Sequence, residues 1–315
     1  MAVPRVRVLQ VIPSVGPLRG GPSAAVRQLA SGLARAGIDS HVATTNDNGA
    51  DILDVPVGVP QQQDGATYWH FERQARPYTF SWPLAAWLRE QVASFDVVHI
   101  HALFSWAALP ASHWAYWRGV PYVVRPLGTL NAWGMTERRP WLKAASFRLV
   151  ESRIVKHAAL MHYTSEQERS EAESLGIRTP AAVIPNALAV QPQVEKGAFR
   201  RRHDTLGDRP LVLFLSRLDA KKGVDLLLQA FAEVRASVPR AVLAMAGDRS
   251  SVYAQEMHRL AASIGVADAV VWTGFLSGLE KAEALADADV FVLPSHSENF
   301  GIRSEEHTSE LQSPY

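Results

Sequence analysis

The chain contains no cysteine. Disulfides, thiolate nucleophiles, iron–sulfur clusters and Cys-ligated zinc are therefore excluded, and a reducing compartment fits. Nothing approaches the run of about 18 uninterrupted apolar residues that a membrane span needs, so none is expected. The N-terminal MAVPRVRVLQVIP lacks an apolar h-region and a small-residue cleavage site, and reads instead as the first core strand. A formal charge of only +1, with no long basic run and no aromatic-basic repeat, gives no support for a nucleic-acid partner. A cytoplasmic protein is the expectation, with peripheral contact to the inner face of a membrane left open.

What is present is an ordinary globular composition: 315 residues, 47% hydrophobic and 20% charged, enough for two cores. Strand-like and helix-like stretches alternate along the chain, which argues for right-handed βαβ units around parallel sheets. Residues 1–195 form the expected first domain. A Pro-, Gly- and charge-rich linker follows over 196–209, and the alternation restarts over 210–302. The fold class expected is α/β, with two doubly wound Rossmann-like domains facing a cleft. The last segment, RSEEHTSELQSPY over 303–315, resembles the conceptual translation of a sequencing-library adapter. Native sequence is therefore expected to stop at Ile302 and to leave the second domain incomplete. Removing one Arg and three Glu leaves 31 basic and 28 acidic residues, +3, and the charge argument stands.

The stretch LVLFLSRLDAKKG, residues 211 to 223, draws most attention. An apolar run ends in a turn bearing Arg217, Lys221, Lys222 and Gly223, and VDLLLQAFAEV then begins at helical spacing. Ligands of open α/β sheets bind beyond the carboxyl ends of strands, so these cations suit a phosphate or diphosphate. A solvated basic turn is the alternative. Near the N-terminus, Gly16, Gly20 and Gly21 precede a helix opened by Pro22 and Ser23. Such a loop lets backbone N–H groups approach an anion, or it only satisfies a turn with positive φ. The spacing is not G-x-G-x-x-G, so a dinucleotide reading is weak.

His99 and His101 lie two apart and share one face of a strand. A metal pair, a polar role at the cleft and packed core histidines all remain open. The Asp287-Ala-Asp289 sequence has the form of a metal-binding D-x-D but sits where a helix gives way to a strand. Thr164 or Ser165 with Glu168 reads as a capping box. Residues 137 to about 157 form a basic, aromatic-containing helix that could rest on an anionic bilayer. No single clean apolar face can be drawn through it, which favours a solvated helix.

Taken in order, the Gly20-Gly21 loop, DVVHIH, TSEQE, VIPNAL, SRLDAKKG, AGD and PSHSENFG resemble the landmarks of glycosyltransferase family 4, over residues 5 to 302. The resemblance implies a retaining enzyme of the GT-B fold that moves a hexose from a nucleotide-sugar donor to a glycan or lipid-linked acceptor. It implies that Arg217 and Lys222 bind the donor diphosphate. Glu298 and the backbone of Asn299, Phe300 and Gly301 would hold the transferred sugar. Gly20, Gly21 and Gly247 would lie against the donor. No metal or other cofactor is expected, because fixed cations neutralise the leaving diphosphate, which itself helps deprotonate the acceptor.

Two departures stand out. Leu127 occupies the position where many relatives carry a His, so His101 and Arg125 become the first-domain catalytic candidates beside Glu298. The Glu expected eight positions after Glu298 falls at 306, inside the adapter-like tail. The acceptor loops are expected over 46–80 and 125–140. An inactive fragment with weak nucleotide binding, or a sugar-nucleotide epimerase of the same architecture, are the alternatives. A periplasmic-type binding protein is disfavoured by the missing signal peptide.

Overall fold

A computed structural model describes residues 5–131, 135, 140–187 and 192–296. The chain divides at Ala187/Leu188 into two compact units.

The first unit is built on an eight-stranded sheet in the order β10-β9-β8-β7-β1-β2-β6-β5. Its strands are β1 (Arg7–Ser14), β2 (Asp39–Thr45), β5 (Pro60–Gln63), β6 (Ala66–Phe71), β7 (Val97–His101), β8 (Tyr122–Arg125), β9 (Leu160–Tyr163) and β10 (Ala181–Val183). A small antiparallel pair, β3 (Asp47–Asn48) with β4 (Asp51–Ile52), stands apart. All neighbours in the large sheet are parallel except β5, which turns back on β6. The turn between them is Asp64-Gly65, both at positive φ (51° and 81°), the conformation a two-residue hairpin needs. The polar 46–66 stretch, which sequence reads as a long loop or short hairpin, thus holds the β3–β4 pair and the β5 arm of a hairpin with β6.

Apolar residues at alternate positions fix the faces. Leu9, Val11, Val98, Ile100, Val124, Met161 and Tyr163 belong to one core cluster, covered by α2 (Trp82–Gln91) and α3 (Ala108–Arg118). On the other face Ile12, Val42 and Tyr68 pack with Val26 and Ala30 of α1 (Gly21–Arg35). Because β1 pairs with β2 on one side and β7 on the other, chain order reverses between β1 and β7. That reversal is where ligands bind in doubly wound sheets.

The expected 137–157 helix is described from Pro140. It consists of α4 (Pro140–Ser146), a π turn (Phe147–Glu151) and α5 (Ser152–Lys156). After β9, α6 (Glu166–Ser174) starts at Ser165, whose side chain accepts from the Glu168 N–H at 3.2 Å.

The second unit has a four-stranded parallel sheet, β13-β12-β11-β14. Its strands are β11 (Leu211–Leu215), β12 (Val242–Ala246), β13 (Val270–Gly274) and β14 (Val290–Phe291). The strand expected over DVFVLP is two residues long. The helices are α7 (Ala198–Arg202), α8 (Val224–Ser237), α9 (Val252–Ser263) and α10 (Gly278–Asp287). β11 pairs with β12 and, across the sheet, with β14. The second unit thus repeats the reversal, between β11 and β14.

Candidate active site

The second unit's reversal brings two segments of the sequence together. β11 ends at Leu215, and the chain reaches the basic turn through Ser216, whose N–H donates to Ala246 O at 3.0 Å. Asp219 caps the turn: its Oδ1 accepts from Lys221 N at 3.1 Å and its carbonyl accepts from Lys222 N at 2.8 Å. Gly223 follows at φ 61° and opens α8. A Cβ there would collide with Pro294 O, so only glycine lets the two segments close. His296 N then donates to Lys221 O at 2.9 Å. The PSH of PSHSENFG is thereby laid along the basic turn. Arg217 is exposed and Lys222 half-buried on that turn. Glu298, Asn299, Phe300 and Gly301 lie outside the described residues.

Gly247 owes its identity to packing. A Cβ on it would strike Ser216 O and stand 2.9 Å from Leu218 Cγ, while its N–H donates to Gly274 O at 2.9 Å. It lets the exits of β11 and β12 approach.

Asp287 and Asp289 spend their carboxylates on the fold. Asp287 accepts from the N–H groups of Gly197 and Arg200, fixing the start of α7, and is 2% exposed. Asp289 Oδ2 accepts from Leu211 N at 2.7 Å and from Arg200 Nη2 at 3.0 Å. The D-x-D pattern is a clamp between α7, β11 and β14.

In the first unit the glycine-rich loop leaves the carboxyl end of β1. Ser14 Oγ donates to Asp47 O at 2.5 Å and accepts from Gly16 N at 3.0 Å, while Ser23 Oγ donates to Ser14 O at 2.9 Å. Gly20 takes φ 77°, ψ −139°, a region essentially restricted to glycine, and caps α1, whose first residue is Gly21. Arg19 grips Asp47 through Nε and Nη2 at 2.5 and 2.9 Å, and Arg73 Nη1 reaches the same carboxylate at 2.5 Å. Asp47 is fully buried. Burial pushes its pKa up, but the bonds from Arg19 and Arg73 outweigh that and hold it below the usual carboxylate range. Sequence reading passed over Asp47, whose only signal is its place in the polar stretch TNDNG.

His101 and Arg125 are register partners on β7 and β8. They share a sheet face with Gln10, His99 and His162, a polar row where a parallel sheet is ordinarily apolar. His101 Nε2 lies 2.6 Å from Gln10 Oε1, and His99 Nε2 lies 3.2 Å from His162 Nδ1. His162 Nε2 donates to Ile184 O at 2.9 Å, which leaves Nδ1 to accept from His99. Burial first, then neighbouring positive charge, drives His99 and His101 well below the ordinary imidazole value and His162 down to about 4. All three are neutral at pH 7.

Arg125 donates to Asn186 Oδ1, and burial lowers its pKa to about 10 against the raising effect of Glu168. Among the described residues His101 Nδ1, Gln10 Nε2 and Arg125 Nε have no hydrogen-bond partner. His101 and Arg125 are 0% and 2% exposed. They lie under the surface of this end of the sheet rather than on it.

Three non-glycine residues at positive φ follow these strands: Ala102 (67°), Phe104 (55°) and Leu127 (54°). Backbone strain of this kind gathers at functional sites when the surroundings enforce it. Glu168 supplies part of that enforcement. Its Oε1 accepts from Gly128 N at 2.6 Å and its Oε2 from Thr164 N at 2.7 Å and Thr164 Oγ1 at 2.9 Å. The expected capping box thus reaches one residue further back, and also clamps the loop after β8.

Two family models match the chain: glycosyl transferase 4-like domain over residues 20–187, and glycosyl transferases group 1 over 195–306, running past the expected end at Ile302. A GDP-mannose-dependent alpha-(1-6)-phosphatidylinositol monomannoside mannosyltransferase of Mycolicibacterium smegmatis is 32% identical over 166 residues, 51% of this chain and 43% of that protein. A D-inositol 3-phosphate glycosyltransferase of Actinosynnema mirum is 26% identical over 308 residues, 90% of this chain and 72% of that protein. The chain spans under half the length of the first such relatives it matches. Among solved structures, HepE of Anabaena in complex with UDP and glucose shares the fold at TM-score 0.75 and 16% identity, covering 98% of this chain and 80% of that one. The sucrose-phosphate synthase of Thermosynechococcus elongatus does so at 0.71 and 20% identity, covering 97% and 79%.

Proposed function

The chain belongs to the glycosyl transferase 4-like family, and from that premise we propose that it transfers a hexose, with retention, from a nucleotide-sugar donor to a glycan or lipid-linked acceptor. Arg217 and Lys222 hold the donor diphosphate. Glu298 and the backbone at Asn299, Phe300 and Gly301 hold the sugar, and Gly20, Gly21 and Gly247 let main chain approach the donor. The observation that carries this reading is the pinning of PSH to the basic turn, through Gly223 against Pro294 and His296 N on Lys221 O. It sets the cations next to the segment that leads into Glu298.

The chemistry follows from charge. As the glycosidic bond breaks, negative charge grows on the departing diphosphate while the sugar becomes oxocarbenium-like. Fixed cations stabilise that transition state more than the ground state. They supply the role a divalent metal plays elsewhere, and the released phosphate oxygen accepts the acceptor's proton. His101 and Arg125, buried behind the first unit's loops, act by positioning them. The acceptor meets the loops after β2, β6 and β8, on the cytoplasmic side of a membrane where the acceptor is lipid-linked.

The test is a nucleotide-sugar panel led by GDP-mannose, reading released nucleotide and transferred sugar. Lys222→Ala and Arg217→Ala are each expected to cost about 10²–10³ in kcat, by analogy with removal of one oxyanion donor. Activity is expected to persist in EDTA. No release from any donor, or unchanged rates in both variants, overturns the proposal. Conversion of a nucleotide-sugar into its epimer without transfer would support the epimerase instead.

A further inference from the structure

Three neighbouring strands of the first unit end side by side. Ser14 of β1 is the register partner of Thr45 on β2, and Thr45 is that of Phe71 on β6, so their exit loops share one end of the sheet. Asp47 lies just past β2, and its side chain is completely enclosed. The carboxylate reaches into both flanking loops: Arg19 grips it with two N–H groups from the loop after β1, and Arg73 Nη1 meets it from the segment after β6. Asn48 adds to the hold, its Oδ1 accepting from Leu18 N at 3.1 Å. A Cβ on Gly16 would come within 2.6 Å of the same Oδ1 and 2.7 Å of Asp47 O, so the glycine-rich loop is pressed directly onto the exit of β2.

The two arginines differ in what they need. Arg73 has a side chain 8% exposed and also donates from Nη1 to Gly49 O at 2.9 Å, so a guanidinium buried there requires the carboxylate. Arg19 does not. Its side chain is 43% exposed, where water would satisfy it, and holding so long a side chain in one rotamer costs entropy for little stability. What its pairing fixes is geometry. Arg19 ends a single 3-10 turn in which its N–H donates to Gly16 O and that of Gly20 to Pro17 O, both at 3.1 Å, so Arg19 cannot shift without carrying Gly20 with it. The Gly20 carbonyl in turn accepts from Ala24 N at 3.2 Å at the start of α1.

We propose that Asp47 is a positioning residue: by gripping Arg19 it fixes the Gly20–Gly21 main chain that faces the donor, and by gripping Arg73 it locks that loop to the exits of β2 and β6. Fully enclosed, Asp47 acts only through these partners. Arginine suits the task because its planar fork meets a carboxylate at two points, where lysine offers one charge on a flexible stem. Backbone donors stabilise growing charge only when their placement is already set, and an error of about 1 Å forfeits much of the effect. The inference rests on the donor-side reading of Gly20 and Gly21 given above.

The test uses the whole chain and the variants Arg19→Ala, Arg19→Lys and Asp47→Asn. Arg19→Ala is expected to lower donor kcat/KM by roughly 10- to 100-fold, with acceptor KM unchanged and the melting temperature within about 4 °C of wild type. Arg19→Lys keeps the charge, loses the two-pronged grip and is expected to match it. Asp47→Asn is expected to lower the melting temperature further, through Arg73, yet to add no loss of kcat/KM when combined with Arg19→Ala. In the free protein, hydrogen exchange with mass detection is expected to quicken over 16–24 in Arg19→Ala, and over 72–76 as well in Asp47→Asn. Full activity in either Arg19 variant overturns the inference. So do losses that multiply in the double variant, or exchange that rises evenly across the first unit. A wild-type chain that releases nucleotide from no donor sinks the donor reading instead, and the exchange measurement then still decides whether Asp47 holds the loop.

Discussion

Gly223 shows how one missing side chain can join two segments distant in sequence. Its φ of 61° already disfavours any L residue, and the Pro294 carbonyl fills the space a Cβ would take. Gly223→Ala is therefore expected to cost stability by about 1–3 kcal/mol, the range for a strained backbone position. It is also expected to lower kcat as the 294–296 segment moves off the basic turn. A thermal melt and an initial-rate assay on the same preparation check both. Loss of stability with kcat intact would show that the contact serves the fold alone.

At this scale the sequence is informative where chemistry needs a residue type and silent where geometry does. The turn bearing Arg217, Lys222 and Gly223 stands out because its cations follow an apolar run at the carboxyl end of a strand, where open α/β sheets bind ligands. Asp47 does not, since a buried carboxylate between Arg19 and Arg73 looks in sequence like any loop aspartate. The pair Asp287 and Asp289 misleads in the other direction, having a metal motif's form and a structural clamp's bonds.

Among the elements, α6 and the loop after β8 act as one piece through Glu168. Glu168→Gln keeps the size but turns an N–H₂ towards one of the two backbone donors, leaving that donor unsatisfied. Faster amide exchange is expected at Gly128 or Thr164, with acceptor KM raised several-fold and donor KM unchanged. Hydrogen exchange with mass detection and two-substrate kinetics test this, and a uniform rise of exchange across the first unit would mean general destabilisation instead. Sequence pattern gave the alternation of strands and helices because period-2 and period-3.6 apolar spacing survive in isolation. It could not give the two-residue length of β14, set by pairing with β11, nor the π turn, which departs from the helical period on which such reading depends.

For the molecule as a whole, the histidines with the largest displacements, His99, His101 and His162, all belong to the first unit. Their folded pKa values lie below the unfolded value near 6.5, so the unfolded chain binds more protons as pH falls. Stability from their burial is full above about pH 6.5 and is lost progressively down to the folded values, about 4 for His162, at about 1.4 kcal/mol per unit of displacement. In the second unit His258, far less deeply buried, has its pKa lowered. Calorimetry at pH 7 and pH 5 is expected to show the first unit's transition falling further than the second's. A parallel fall of both would refute this assignment. Composition marks a connection over 196–209, whereas contacts divide the chain at Ala187/Leu188, since polarity and proline mark a connection without marking where contacts stop.

Each unit places its earliest strand mid-sheet. β1 finds β2 within forty-five residues of chain, but its other neighbour, β7, begins only at Val97. At ribosomal speed that leaves one edge of the future centre of the sheet unclaimed for on the order of ten seconds. Arg5 and Arg7, flanking Val6 just before LQVI, sit where charge would discourage a passing nascent chain from claiming it first.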